Sequence, residues 1–320
     1  MASSLQKMLV FNATSIGRAA HEKLKRRFEG RVHSVFRRTF NVFDGEEFIN
    51  VARSDVYRNP INIVTSIPAS IGITSLGIKE GMNAILEEDK LVIGNISIIL
   101  RNADIWIPKR KVESPLGIKS VRKNLETARF YLSGKIQGRL SLLLYYLEGI
   151  STGKVIRITG LIDATRATLG NLCSLVEAIR SRKLNEIPKY VDGAIGLGQG
   201  LTPSIDDLLL GFVSASKWLV FSFGGDVELI EEMNRQIIKS TLRTTSLSRQ
   251  MLKLASLGEV DERVESFYES ILTGDELGVE SSIDNVLTIG KTSGSDILIG
   301  ALLGFYCGLN LKPVQRIKYR

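Results

Sequence analysis

Two stretches of this chain, residues 196–212 (GLGQGLTPSIDDLLLGF) and 290–305 (GKTSGSDILIGALLGF), carry the same order of residues into an almost wholly apolar run. Gly200, Thr202, Ser204, Asp207 and Gly211 line up with Gly290, Thr292, Ser293, Asp296 and Gly300, with one residue fewer in the second copy. A helix apolar on every side belongs at the centre of a domain. The chain therefore needs a helical core that accepts two such helices, packed antiparallel or side by side, each entered through a glycine-rich polar loop. Thr202 followed by Pro203 predicts an N-cap and first helical position, because Pro fixes φ and lacks the N–H that is unpaired there.

A helix start of this kind presents backbone N–H groups and the positive end of the helix dipole. Small residues beside it let a phosphate or carboxylate approach closely. The same residues also serve as caps, as acidic complements to the dipole and as points of close packing. Both readings stand on the sequence. If the two helices cross near their starts, both loops face one pocket.

Upstream, the pattern is different. Residues 4 to about 29 have a loosely helical apolar period ending at Gly30, which predicts a docking helix or two short ones. From Arg31 to about Ile107, short β-branched and aromatic runs such as VHSVFRRTFNVF, INIVTSI and KLVIGNISIIL alternate with turn residues. Strands of that length and spacing predict a compact barrel or sandwich. Lys109–Ser120 reads as a link. Beyond it helices are expected over 121–149 (one long helix or a broken one, with Gly134 and Gly138 as weak points), 161–183, 206–223, 226–240, 261–273, 278–288 and 296–309, with a further one capped by Thr245 or Ser246. The fold class is α+β: a β-rich domain over 1–115 with its leading helix, then a mainly helical domain over 116–320.

Composition excludes several functions. Only two histidines, His21 and His33, and two distant cysteines, Cys173 and Cys307, are present, without CxxC or HxxxH spacing. Neither a metal site, nor a cofactor, nor a disulfide framework, nor a His-based triad is expected. No apolar run reaches the roughly 18 residues of a membrane span, and no secretory leader precedes the first elements, so a cytoplasmic location is expected. The net charge of +8 suits an anionic partner. Its basic clusters, including Arg316, Lys318 and Arg320, are short and lack interleaved aromatics, which argues against nucleic acid.

The GxGLTPSxDD stretch, RTTSLSRQML at 243–252 and the GxTSGxD stretch together resemble the AllH family, described as a subunit of oxamate carbamoyltransferase in anaerobic allantoin breakdown. HSVFRRTFNV and ADIWIPKR extend the resemblance over most of the chain. Ile205 stands where the family usually has Gly, and Lys291 where it often has His. The resemblance implies carbamoyl transfer between oxalurate and phosphate, giving oxamate and carbamoyl phosphate, with FdrA-like and AllG-like partner subunits. Residues 240–252 also faintly resemble the Ser-Thr-Arg-Thr-Arg phosphate signature of aspartate and ornithine carbamoyltransferases. The candidate catalytic residues are Arg243, Asp207 and Asp296. The candidate binders of an anionic substrate (carbamoyl phosphate, oxamate or oxalurate) are Gly200, Thr202, Ser204, Thr244, Thr245, Ser246, Lys291, Thr292 and Ser293. A planar Arg fork and hydroxyl donors suit phosphate and carboxylate. The alternative is a non-catalytic subunit that binds a metabolite or scaffolds its partners.

Overall fold

The computed structural model describes residues 8–136, 140–154 and 163–311. The chain divides into two compact units, residues 1–108 and 109–320.

The first unit is a small β-barrel. Its strands are β1 (Leu9–Gly17), β2 (Glu29–Val35), β3 (Thr39–Phe43), β4 (Phe48–Ala52), β5 (Asn62–Thr65), β6 (Asn83–Glu87), β7 (Lys90–Ile93), β8 (Ile96–Ile99) and β9 (Asp104–Trp106), with one short helix, α1 (Arg18–Leu24), between β1 and β2. The order β5-β4-β3-β2-β6-β7-β8-β1 closes on itself through a β5–β1 pairing, and β9 adds to β1. Strand β2 shows why the sequence does this: Gly30, Val32 and Ser34 are buried while Glu29, Arg31 and His33 are exposed, the period-two pattern of a barrel wall. Phe28, Phe40, Ile49, Val51, Ile63, Leu91 and Ile98 fill the interior. An eight-stranded barrel has room for side chains and little else.

Where a leading helix is expected over 4–29, β1 and the seven-residue α1 stand instead; residues 4–7 lie outside the described residues. The physical reason is closure. Leu9–Asn12 pair in parallel with β8 and Ala13–Ile16 pair antiparallel with β5, so β1 satisfies backbone groups on two strands that would otherwise be open edges. At Gly17 the chain turns against the 59–60 corner, where an added Cβ would lie 2.1 Å from the Asn59 carbonyl oxygen. The Ala19 and Ala20 N–H groups both donate to the Pro60 carbonyl, at 2.9 and 3.1 Å.

The second unit is helical: α2 (Ile118–Lys135), α3 (Leu147–Ser151), α4 (Asp163–Arg180), α5 (Ile187–Asp192), α6 (Ser204–Phe223), α7 (Val227–Lys239), α8 (Ser246–Ser256), α9 (Glu262–Thr273), α10 (Glu276–Val286) and α11 (Ser293–Asn310). Aspartates begin three of them. Asp226, Asp261 and Asp275 each accept an N–H of the first turn, and the last two move the starts of α9 and α10 to the residues that follow them. Of the two expectations for 121–149, one long helix or a broken one, the broken one stands: α2 ends at Lys135, beside the weak point expected at Gly134, and a 3-10 segment, Leu140–Tyr145, precedes α3. The expected link is a strap on this unit. Val112 N–H donates to Ser222 Oγ at 3.0 Å and Leu116 N–H to the Leu272 carbonyl at 2.7 Å, while Arg110 pairs with the buried Glu259 carboxylate.

Helices α6 and α11 form the centre, as their apolar sequences require. Every residue from Ile205 to Val220 is buried, as is every residue from Asp296 to Cys307. They run parallel, since Gly300 lies against Leu208, Gly304 against Phe212 and Gly308 against Leu219. Their N-termini therefore meet at one end. Contacts near the starts are reciprocal: Gly211 faces the Ile297 carbonyl, and its counterpart Gly300 faces the Leu208 carbonyl.

Candidate functional site

The parallel packing brings both repeated loops together. Thr202 Oγ1 of the first lies 3.4 Å from Ser293 Oγ of the second. Helix α6 begins at Ser204 and α11 at Ser293, two and three residues earlier than the sequence pattern predicts. Thr202 does not cap α6. The N-cap is Pro203 and carries no side-chain cap bond; Thr202 Oγ1 instead donates to Asp207 Oδ2 at 3.1 Å.

Backbone amides, expected to be open to an anion, are largely taken up by the chain itself. Gly198, at φ 134°, doubles back so closely that a Cβ would lie 2.4 Å from Ser204 N. Ile205 N–H donates to the Leu197 carbonyl, and the Asp206 and Asp207 amides share the Pro203 carbonyl. In the second copy, Gly294 N–H donates to Ile289 and Asp296 N–H to Thr292. What the junction presents is hydroxyls and carboxyls.

Three carboxyls sit here, and all are buried: Asp206, Asp207 and Asp296 are 3%, 4% and 5% exposed. Asp206 fastens the first loop, accepting Gly196 N–H at 2.7 Å and the Thr244 hydroxyl. Sequence reasoning missed this role; its trace is the second acidic residue of the Asp206–Asp207 pair on an otherwise apolar helix. Burial pushes Asp207 from an ordinary 3.8 up to about 7, with the nearby charges of Asp296 and Asp206 adding to the rise and the Ser293 and Thr202 hydroxyls opposing it. Burial likewise pushes Asp296 up to about 6, against a hydrogen bond from Ser204. Thus each serine serves the aspartate of the other helix. Desolvation outweighs the helix dipole, which favours the ionised form.

The third predicted segment, 243–246, borders the first loop. Thr245 accepts the Ser248 N–H at 3.1 Å, capping α8, and donates to the Leu201 carbonyl at 2.8 Å. Ser246 follows as the first residue of α8. The Arg243 carbonyl packs on Gly196, while its side chain, 63% exposed, lies 3.5 Å from Asp192. Gly200, Lys291 and Thr292 are exposed on the two loops. Among the described residues, no group of three or more His, Cys, Asp or Glu side chains is placed to hold a metal ion.

Residues 194–305, which contain every element of this junction, match the family model of oxamate carbamoyltransferase subunit AllH, and residues 12–105, the barrel, match the AllH family N-terminal domain. The chain belongs to the AllH family. No solved structure matches it. The AllH match begins at Ala194 and ends at Phe305, so it runs from the turn before the first loop to the buried part of α11. Within the AllH chain no described helix is long and apolar enough to cross a membrane.

Proposed function

We propose that this AllH chain is a subunit of a cytoplasmic oxamate-carbamoyltransferase-like complex and that its loop junction takes part in carbamoyl transfer between oxalurate and phosphate, alongside FdrA-like and AllG-like subunits. The observation that carries this reading is the meeting of Thr202 and Ser293 at 3.4 Å beside a carboxyl with a pKa of about 7.

The reaction needs such a group. Oxalurate and hydrogenphosphate give oxamate and carbamoyl phosphate: a phosphate oxygen bonds to the carbamoyl carbon, and the bond from that carbon to the oxalurate nitrogen breaks. The hydrogenphosphate proton must end on the departing nitrogen. Asp207 accepts that proton as the oxygen attacks and returns it as nitrogen leaves, and a pKa near the working pH suits both halves. Ser246 and Thr292 contribute hydroxyl donors; Thr202, Ser204, Thr244, Thr245 and Ser293 do so by turning their protons to the substrate from the protein acceptors that hold them. Gly200 permits close approach, and Lys291 and Arg243 supply positive charge to anionic oxygens.

Two observations favour a non-catalytic subunit instead: the Ile205, Asp206, Asp207, Gly294 and Asp296 amides are engaged internally, and Arg243 pairs with Asp192. Reconstitution separates the two readings. With partner subunits present and phosphate release from carbamoyl phosphate and oxamate followed, Arg243→Ala and Thr202→Val should each lower turnover by about 100-fold or more, the range for loss of one oxyanion-type donor. The melting temperature of the exposed Arg243→Ala variant should stay within about 1 °C of wild type, as for a surface substitution. Full activity in both variants would assign the chain a scaffolding role.

A further inference from the structure

The two loop-helix units are counterparts position by position, yet unequal at one place. Counted from the helix starts, Ser204 matches Ser293, and Thr202 matches Lys291 rather than Thr292. Asp207 receives two hydroxyls, from Thr202 and Ser293. Asp296 is hydrogen-bonded by Ser204, but the side chain at the position equivalent to Thr202 is the exposed Lys291. Although Asp296 is only 5% exposed, its Oδ2 has no hydrogen-bond partner among the described residues. A buried carboxyl oxygen without a donor is costly and rare enough to require a reason.

We propose that Asp296 is the specificity-determining residue of this site, its Oδ2 accepting an N–H from the amide or carbamoyl NH2 group of the substrate. The assignment rests on the reading of the loop junction as the substrate site. An acceptor without a partner calls for a donor, and two converging helix N-termini disfavour a cationic one. A neutral amide meets both conditions. Its NH2 bonds Asp296 Oδ2, the acceptor left open at the junction among the described residues, while the Thr202, Ser204 and Ser293 hydroxyls keep donating to the two aspartates. Asp207, already holding two donors, is left for the proton.

Oxamate and oxalate test this, because they share size and one carboxylate while oxalate places an acceptor oxygen where oxamate carries NH2. Calorimetric titration of the full chain at pH 8, alone and assembled with its partner subunits, should show oxamate binding at least about 10-fold more tightly, as for a hydrogen bond to a charged acceptor. Asp296→Asn should bring the two ligands to within about 3-fold of each other, with circular dichroism verifying the fold. Equal binding by wild type, which needs no variant, overturns the assignment, as does a preference that survives Asp296→Asn. In either case the substrate-site reading stands if Thr202→Val weakens both ligands. Failure of both ligands to bind chain and complex overturns the two readings together.

Discussion

Asp207→Asn will stop carbamoyl transfer and, at the same time, stabilise the folded chain above neutral pH. The two effects have one cause. Folding carries a carboxyl with an ordinary pKa of 3.8 into a buried junction where it rises to about 7. Between those values the folded chain holds a proton that the unfolded chain has released, so this group's contribution to stability falls as pH rises from about 4 to about 7. It is constant above that. At pH 8 the native state carries a buried charge whose cost, at 1.36 kcal/mol per pKa unit, is on the order of 2–4 kcal/mol. The amide removes that cost while keeping an acceptor for Thr202. Thermal melting at pH 8 should therefore move up by about 5–10 °C, by the usual scaling for a unit of this size, and the gap between variant and wild type should close as pH falls toward 4. Turnover in the assembled complex should drop by about 100- to 10,000-fold, the range for loss of a general acid-base group. A variant less stable than wild type at pH 8 would show that the carboxylate's hydrogen bonds outweigh its desolvation. One that retained turnover would remove Asp207 from the chemistry.

How far the sequence disclosed this site depends on the length of the pattern concerned. The two apolar helices were legible because a run such as DLLLGFVSASKWLVF has no polar face to give to water, and the α+β division was legible because hydrophobic period changes between the first and second units. The repeat of Gly, Thr, Ser and Asp located both halves of the junction. Strand β1 was not legible: LVFNATSIG has four outward or half-buried positions before its buried ones, and its pairing with β8 and β5 depends on strands up to about 90 residues away. Nor was the use of Thr202. A Thr before Pro-Ser predicts a cap, yet its hydroxyl reaches to Asp207 within the first turn because that carboxyl, buried by α11, offers the stronger acceptor. Tertiary burial decided each case that local pattern missed.

The glycines of the helix crossing set the second large effect. An added Cβ at Gly300 would lie 1.9 Å from the Leu208 carbonyl oxygen, and one at Gly211 would lie 2.0 Å from the Ile297 carbonyl oxygen. Both obstacles are backbone, so no rotamer change relieves them; the helices must move apart. Gly304, where a Cβ would meet the Phe212 carbonyl at 2.6 Å, extends the same close approach along α11, whereas at Gly308 a Cβ would meet the Leu219 side chain. Alanine favours an isolated helix over glycine by about 1 kcal/mol, yet at this crossing overpacking should dominate, and Gly300→Ala should lose about 3 kcal/mol or more in urea denaturation. Gly170 in α4 provides the opposite sign. A Cβ there meets nothing within 4 Å, so Gly170→Ala should gain about 0.5–1 kcal/mol. Because Thr202 and Ser293 sit at the ends of the helices that Gly300→Ala drives apart, that variant should also lose activity with its stability. Asp207→Asn should lose activity while stability rises. A Gly300→Ala chain as stable as wild type would mean that α6 and α11 do not meet backbone to backbone, and the shared junction of the two loops would fall with that contact.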